Sequence, residues 1–128
     1  MDYNAEYLPS CEAILTHYKN LGIVYQDITE GDILSLILML NREIKKSNAC
    51  GETSVNTLYV SKKFTSEFTD DGKLICCCIY VSSNYFSDRE CIRFDKDGYI
   101  GLASWADLKN LQPIKRAFLK WCDELKKG

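Results

Sequence analysis

The sequence is short of the residues that most often carry chemistry. It holds one histidine and two prolines in 128 residues. With His17 alone, a His-rich metal site is impossible. To act as a base, His17 needs a thiol or hydroxyl beside it. Cys11 is six positions away, on a different face if the segment is helical. Long hydrophobic runs are also missing: the most apolar segment, Ile33–Leu40, spans eight residues, where a membrane span needs about 20. The opening residues MDYNAEYLPSCEAIL lack the basic flank and apolar stretch of a secretory signal. These absences predict a cytoplasmic chain with no membrane partner.

Charge of one sign is missing too. Sixteen basic and 18 acidic side chains leave a net charge of -2, so a nucleic-acid partner, which calls for a basic excess, is not expected. The chain has no glycine-rich phosphate loop, no nucleophile elbow, no Ser-x-x-Lys and no metalloprotease helix. The acidic turns fail as calcium loops. With Gly98 as the loop glycine, the first and last ligand positions fall on Arg93 and Ser104; with Gly72 they fall on Glu67 and Cys78. No catalytic residue, metal or cofactor is implied.

Cysteine is what the chain has in quantity. There are seven, an odd number, and none lies in a Cys-x-x-Cys spacing. Cys76, Cys77 and Cys78 are consecutive; on a strand the outer two face one side and Cys77 the other. That arrangement cannot clamp a metal as an ordinary zinc pair does. It predicts reduced thiols used as small apolar core residues.

Composition fits one globular domain over residues 1–128, with 46% hydrophobic and 27% charged residues. Apolar positions Cys11, Ile14, Leu15 and Tyr18 predict a first helix over 9–20. A second is predicted over 30–47, capped by Thr29 with Asp32 three residues on. Its apolar residues cover most of its circumference, so it is expected to be buried on more than one side or to meet another chain. Alternation predicts a half-buried strand over 57–69. A turn at Asp70-Asp71-Gly72 leads into a central strand over 74–81. A loop over 82–88, a strand over 89–95, a turn at 95–98 and a strand over 99–104 follow. Ile114, Ala117, Phe118, Trp121, Cys122 and Leu125 form the apolar stripe of a last helix over 111–126, with Asn110 as its expected cap. The expected fold is α+β: two N-terminal helices, a four-stranded antiparallel meander and a C-terminal helix packed on the sheet.

Binding is where the sequence offers most. The 82–88 loop holds Tyr85 and Phe86 side by side among polar residues, and exposed aromatics are enriched at recognition sites. Arg89 and Arg93 share strand parity, which places two guanidinium groups on one sheet face, suited to a phosphate or carboxylate. The competing reading is a solvated face with cross-strand ion pairs.

The stretch Phe94-Asp95-Lys96-Asp97-Gly98-Tyr99-Ile100-Gly101-Leu102-Ala103-Ser104-Trp105, followed by Gln112-Pro113 and Phe118-x-x-Trp121-Cys122, resembles the hairpin-plus-helix ending of small uncharacterised phage and mobile-element proteins. The resemblance covers about the last third of the chain and implies a context of inhibition by binding, with no activity attached to any residue. The expected function is a non-catalytic binding protein, such as an inhibitor of a host defence system or an immunity-type protein, acting on another protein. The alternatives are a protein that sequesters a small phosphorylated, nucleotide-like ligand through Tyr85, Phe86, Arg89 and Arg93, and a small enzyme without a recognisable motif. The excess apolar surface of the second helix adds a homodimer to these expectations.

Overall fold

A computed structural model describes residues 15–17, 28–50, 57–84, 87–94, 100–103 and 112–127. In chain order its elements are β1 (Leu15–His17), α1 (Glu30–Cys50), β2 (Tyr59–Val60), β3 (Thr65–Phe68), β4 (Leu74–Ser82), β5 (Arg89–Phe94), β6 (Ile100–Ala103) and α2 (Gln112–Lys127). Antiparallel strands and two helices make an α+β fold.

The helix α1 begins where its capping residues dictate. The Asp32 N–H donates to Thr29 Oγ1 at 3.2 Å, and the Thr29 N–H donates to Asp32 Oδ2 at 2.9 Å. This reciprocal pair satisfies two backbone donors that a helix start leaves open. Ile33, Leu36, Leu40 and Ile44 form its buried stripe. The helix runs to Cys50, a turn beyond the expected end, and Asn48 Nδ2 donates to the Leu58 carbonyl at 2.9 Å.

Among the described residues the strands form one sheet in the order β1-β6-β5-β4-β2, with β3 also paired to β4. Strands β3 to β6 are the expected meander, each antiparallel to the next. The strand expected over 57–69 is divided: β2 and β3 pair with different parts of β4 and are separated by Ser61–Phe64. The Ser61 N–H still reaches the Tyr80 carbonyl at 2.8 Å, and Ser61 is buried against Ser82 through a 2.7 Å hydroxyl pair. The turn after β3 is as expected. The Gly72 N–H donates to the Thr69 carbonyl and the Thr69 N–H to the Lys73 carbonyl, with Gly72 at φ 84°, a backbone that glycine adopts without strain.

The N-terminal expectation is corrected. Leu15–His17 is extended and pairs with β6, Leu15 opposite Ala103 and His17 opposite Gly101. A helix over 9–20 therefore does not pass through these residues; the remainder of that range lies outside the described residues. The helical stripe rested on four positions, and β-branched Thr16 suits a strand better than a helix. Pairing with the edge of β6 supplies hydrogen bonds that a weak local propensity cannot outweigh.

The core lies between one sheet face and the two helices. Cys77, Ile79 and Val81 of β4 and Ile92 and Phe94 of β5 are buried there. The stripe of α2 closes over them: Ile114, Ala117, Phe118, Trp121 and Cys122 are buried. The Trp121 ring meets Phe94 edge-on at 5.4 Å, and its Nε1 donates to the Asp32 carbonyl at 2.7 Å. That bond ties α2 to the first turn of α1 and satisfies the polar edge of a buried indole. Cys76 and Cys78 face the other side, as expected from alternation, and are half-buried.

Candidate functional site

Of the four residues expected to bind, Arg89 and Arg93 are among the described residues. Tyr85 and Phe86 lie outside them. Arg89 and Arg93 lie on β5, but a register shift intervenes. Ile79 pairs with Ile92 while Tyr80 pairs with Glu90, so Cys91 is an extra residue on β5. A bulge of this kind inverts the alternation beyond it. Arg93 consequently lies opposite Cys78, whereas Arg89 lies opposite core-facing Val81. The expectation that both arginines share a sheet face is overturned by this one inserted residue.

The same bulge gives Arg93 a partner. In an unbroken strand, residues 90 and 93 would point to opposite faces. Here Arg93 Nη2 donates to both carboxylate oxygens of Glu90, at 2.8 and 2.7 Å, and its Nε adds a third bond at 3.2 Å. The Cys78 thiol donates to Glu90 Oε1 at 2.9 Å. Glu90 is 8% exposed, and this charge-assisted fork compensates its burial. Its carboxylate raises the pKa of Arg93. Beside it, Lys63 Nζ lies 5.1 Å from the Tyr80 ring centre, and Tyr80 is pushed up to about 12, first by its hydrogen bond with Cys78 and then by burial. The cross-strand ion-pair reading of this face is closer to the observed arrangement than an open anion site, although the pair formed is within one strand.

The base of the 82–88 loop is fixed. The Asp88 N–H donates to Ser82 Oγ at 2.8 Å, and Ser82 Oγ donates to Asp88 Oδ1 at 3.3 Å. Asp88 has φ 46°, a left-handed backbone that aspartate tolerates better than most side chains. The Asn84 N–H donates to Thr57 Oγ1 at 3.0 Å.

Three thiols of the sheet, Cys77, Cys78 and Cys91, are poorly suited to nucleophilic work. Burial pushes Cys77 up to about 12, and the neighbouring cysteines add to this. Cys78 is also pushed up to about 12, by burial first and then by its bond to Glu90. Cys91 is fully buried, and that burial raises its thiol well above the usual value. A thiolate, not a thiol, attacks or binds metal. Among the described residues, no group of three or more His, Cys, Asp and Glu is placed to hold a metal ion, and no helix is long and apolar enough to cross a membrane.

A charge cluster between the helices was not expected from sequence. Glu43 of α1 is 3% exposed. Its carboxylate accepts from Arg116 Nε at 2.8 Å and Lys120 Nζ at 3.0 Å, both on α2, and from Lys46 Nζ at 3.4 Å. Arg116 Nη2 also donates to the buried Ser47 hydroxyl at 3.2 Å. The Arg116 bond, aided by the lysines, outweighs burial and lowers the pKa of Glu43 to about 2. The signal was present: Glu43 follows Leu36 and Leu40 by seven and three residues, which places a carboxylate on the buried stripe. A cleft of about 460 Å³ adjoins the cluster, with Met39, Arg42 and Lys46 on one wall and Lys120, Asp123 and Glu124 on the other. Ionised at any ordinary pH, Glu43 is unsuited to general acid–base work.

The other side of α1 carries apolar surface that the fold leaves uncovered. Leu34 is 49% and Leu38 63% exposed, one turn apart on the same face. No family model, curated protein or solved structure matches the chain.

Proposed function

We propose that the chain is a non-catalytic binding protein whose partner is another protein, met through the outer face of α1. The observation that carries this reading is the pair Leu34 and Leu38, large apolar side chains held outward on a rigid helix. Apolar surface grouped on one element marks association more often than scattered leucines do. Two further observations support it. Arg93, expected to hold a phosphorylated ligand, is already bound by Glu90. The thiols of Cys77, Cys78 and Cys91 are held protonated, which weakens the enzyme reading. The resemblance of the C-terminal third to small phage and mobile-element proteins suggests the biological setting: inhibition of a host defence system, or an immunity-type function, in the cytoplasm.

In-cell photo-crosslinking tests this. A photoreactive side chain at position 38 should yield a discrete protein adduct, while the same group at Lys62 should not. No adduct at position 38, together with thermal stabilisation by a nucleotide that Arg93→Ala abolishes, would support the sequestering alternative and overturn the protein-binding one.

A further inference from the structure

We infer that the outer face of α1 binds a second copy of this chain, with the two α1 helices packed antiparallel across a two-fold axis. This rests on the reading of that face as a protein-binding surface and assigns its occupant in the free chain as a second copy, which a different protein partner would have to displace. Glu30, Leu34, Leu38 and Arg42 follow one another at intervals of four, so they form a single ridge along the helix. All four are exposed.

The order along that ridge is acidic, leucine, leucine, basic, which makes it self-complementary when reversed. With the axis crossing the outer face midway between the leucines, at the height of residue 36 along the helix, Leu34 of one copy meets Leu38 of the other, and Glu30 meets Arg42. Each contact occurs twice, as an isologous interface requires. Among the described residues, neither Glu30 nor Arg42 makes an ion pair within the chain. Gly31 falls opposite Asn41 in the same register and, lacking a Cβ, allows close approach. Ridges at four-residue spacing interdigitate in the commonest class of helix crossing. The apolar contact is small. Two leucines from each side supply much less than the roughly 800 Å² per partner of a stable interface, so the dimer is reversible and depends on concentration.

Sedimentation equilibrium of the full chain tests the arrangement, with circular dichroism confirming that each variant is folded. The wild type should show a monomer–dimer equilibrium, and Leu38→Glu should be monomeric. Glu30→Arg should weaken the dimer about tenfold, since two symmetric ion pairs are lost at once and like charges take their place. The double reversal Glu30→Arg with Arg42→Glu should restore it, because each arginine again meets a glutamate across the axis. A dimer indifferent to Leu38→Glu, or a double reversal no better than the single, overturns the arrangement. A wild type that is monomeric at every concentration also overturns it. If crosslinking from position 38 then captures a different protein, the binding surface stands without the second copy; if it captures nothing, both fall.

Discussion

The carboxylate of Glu43 and the thiols of the central strand show how strongly position sets chemistry here. Glu43 sits on a buried helix stripe and stays ionised only because Arg116, Lys120 and Lys46 converge on it. With its pKa lowered from 4.5 to about 2, the folded state releases the proton more readily than the unfolded chain. The resulting stabilisation is complete above the unfolded value and is lost as pH falls through that interval toward 2. The urea midpoint should therefore fall between pH 5 and roughly pH 2 in the wild type, and Glu43→Gln should flatten this dependence. At neutral pH the same substitution should cost about 3 kcal/mol, because it leaves the converging cations without their counter-charge. The cysteines give a second test. Cys50 is exposed, whereas Cys77, Cys91 and Cys122 are buried. Under native conditions iodoacetamide should modify Cys50 and spare the other three, and mass spectrometry should find those three modified only after unfolding.

At the scale of elements, a few backbone decisions fix where side chains point. Gly72 holds φ 84° with open space around it. Gly72→Ala should therefore meet no new contact and cost only the strain of a Cβ at positive φ, about 1–2 kcal/mol, measured as a lowered melting temperature with β3 and β4 still paired. The bulge at Cys91 has the larger consequence, because it separates Arg89 from Arg93 and delivers Arg93 to Glu90. Alternation along residues 89–95 gave the strand but could not register an inserted residue, since a bulge is decided by pairing with β4 and not by local pattern. The same limit explains β1, where pairing with β6 overrode the helical reading at residues 15–17. Long, strongly patterned segments were legible: the Thr29–Asp32 cap, the all-round apolar β4 and the stripe of α2. The Glu43 cluster was legible in half, as a charge on a buried face. Its partners Arg116 and Lys120 lie more than 70 residues away, and no sequence spacing joins them.

For the whole molecule, the helices cover one sheet face and leave one ridge of α1 uncovered. Leu36 and Leu40 turn inward and are fully buried, while Leu34 and Leu38 of the same helix turn outward. Leu36→Ala should cost about 3 kcal/mol in a denaturation experiment; Leu34→Ala in the dilute monomer should cost a few tenths of that, since its side chain is half in water. The sequence signalled this surplus as an apolar helix too large for one sheet face, and the structure gives the surplus an address. Hydroxyl-radical labelling of Leu34 and Leu38, followed as the purified chain is concentrated, tests most directly whether that surface is a binding face for a second copy. Labelling of both leucines should fall as concentration rises, while that of exposed Tyr59 stays constant. Equal labelling of all three residues at every concentration would contradict the assignment.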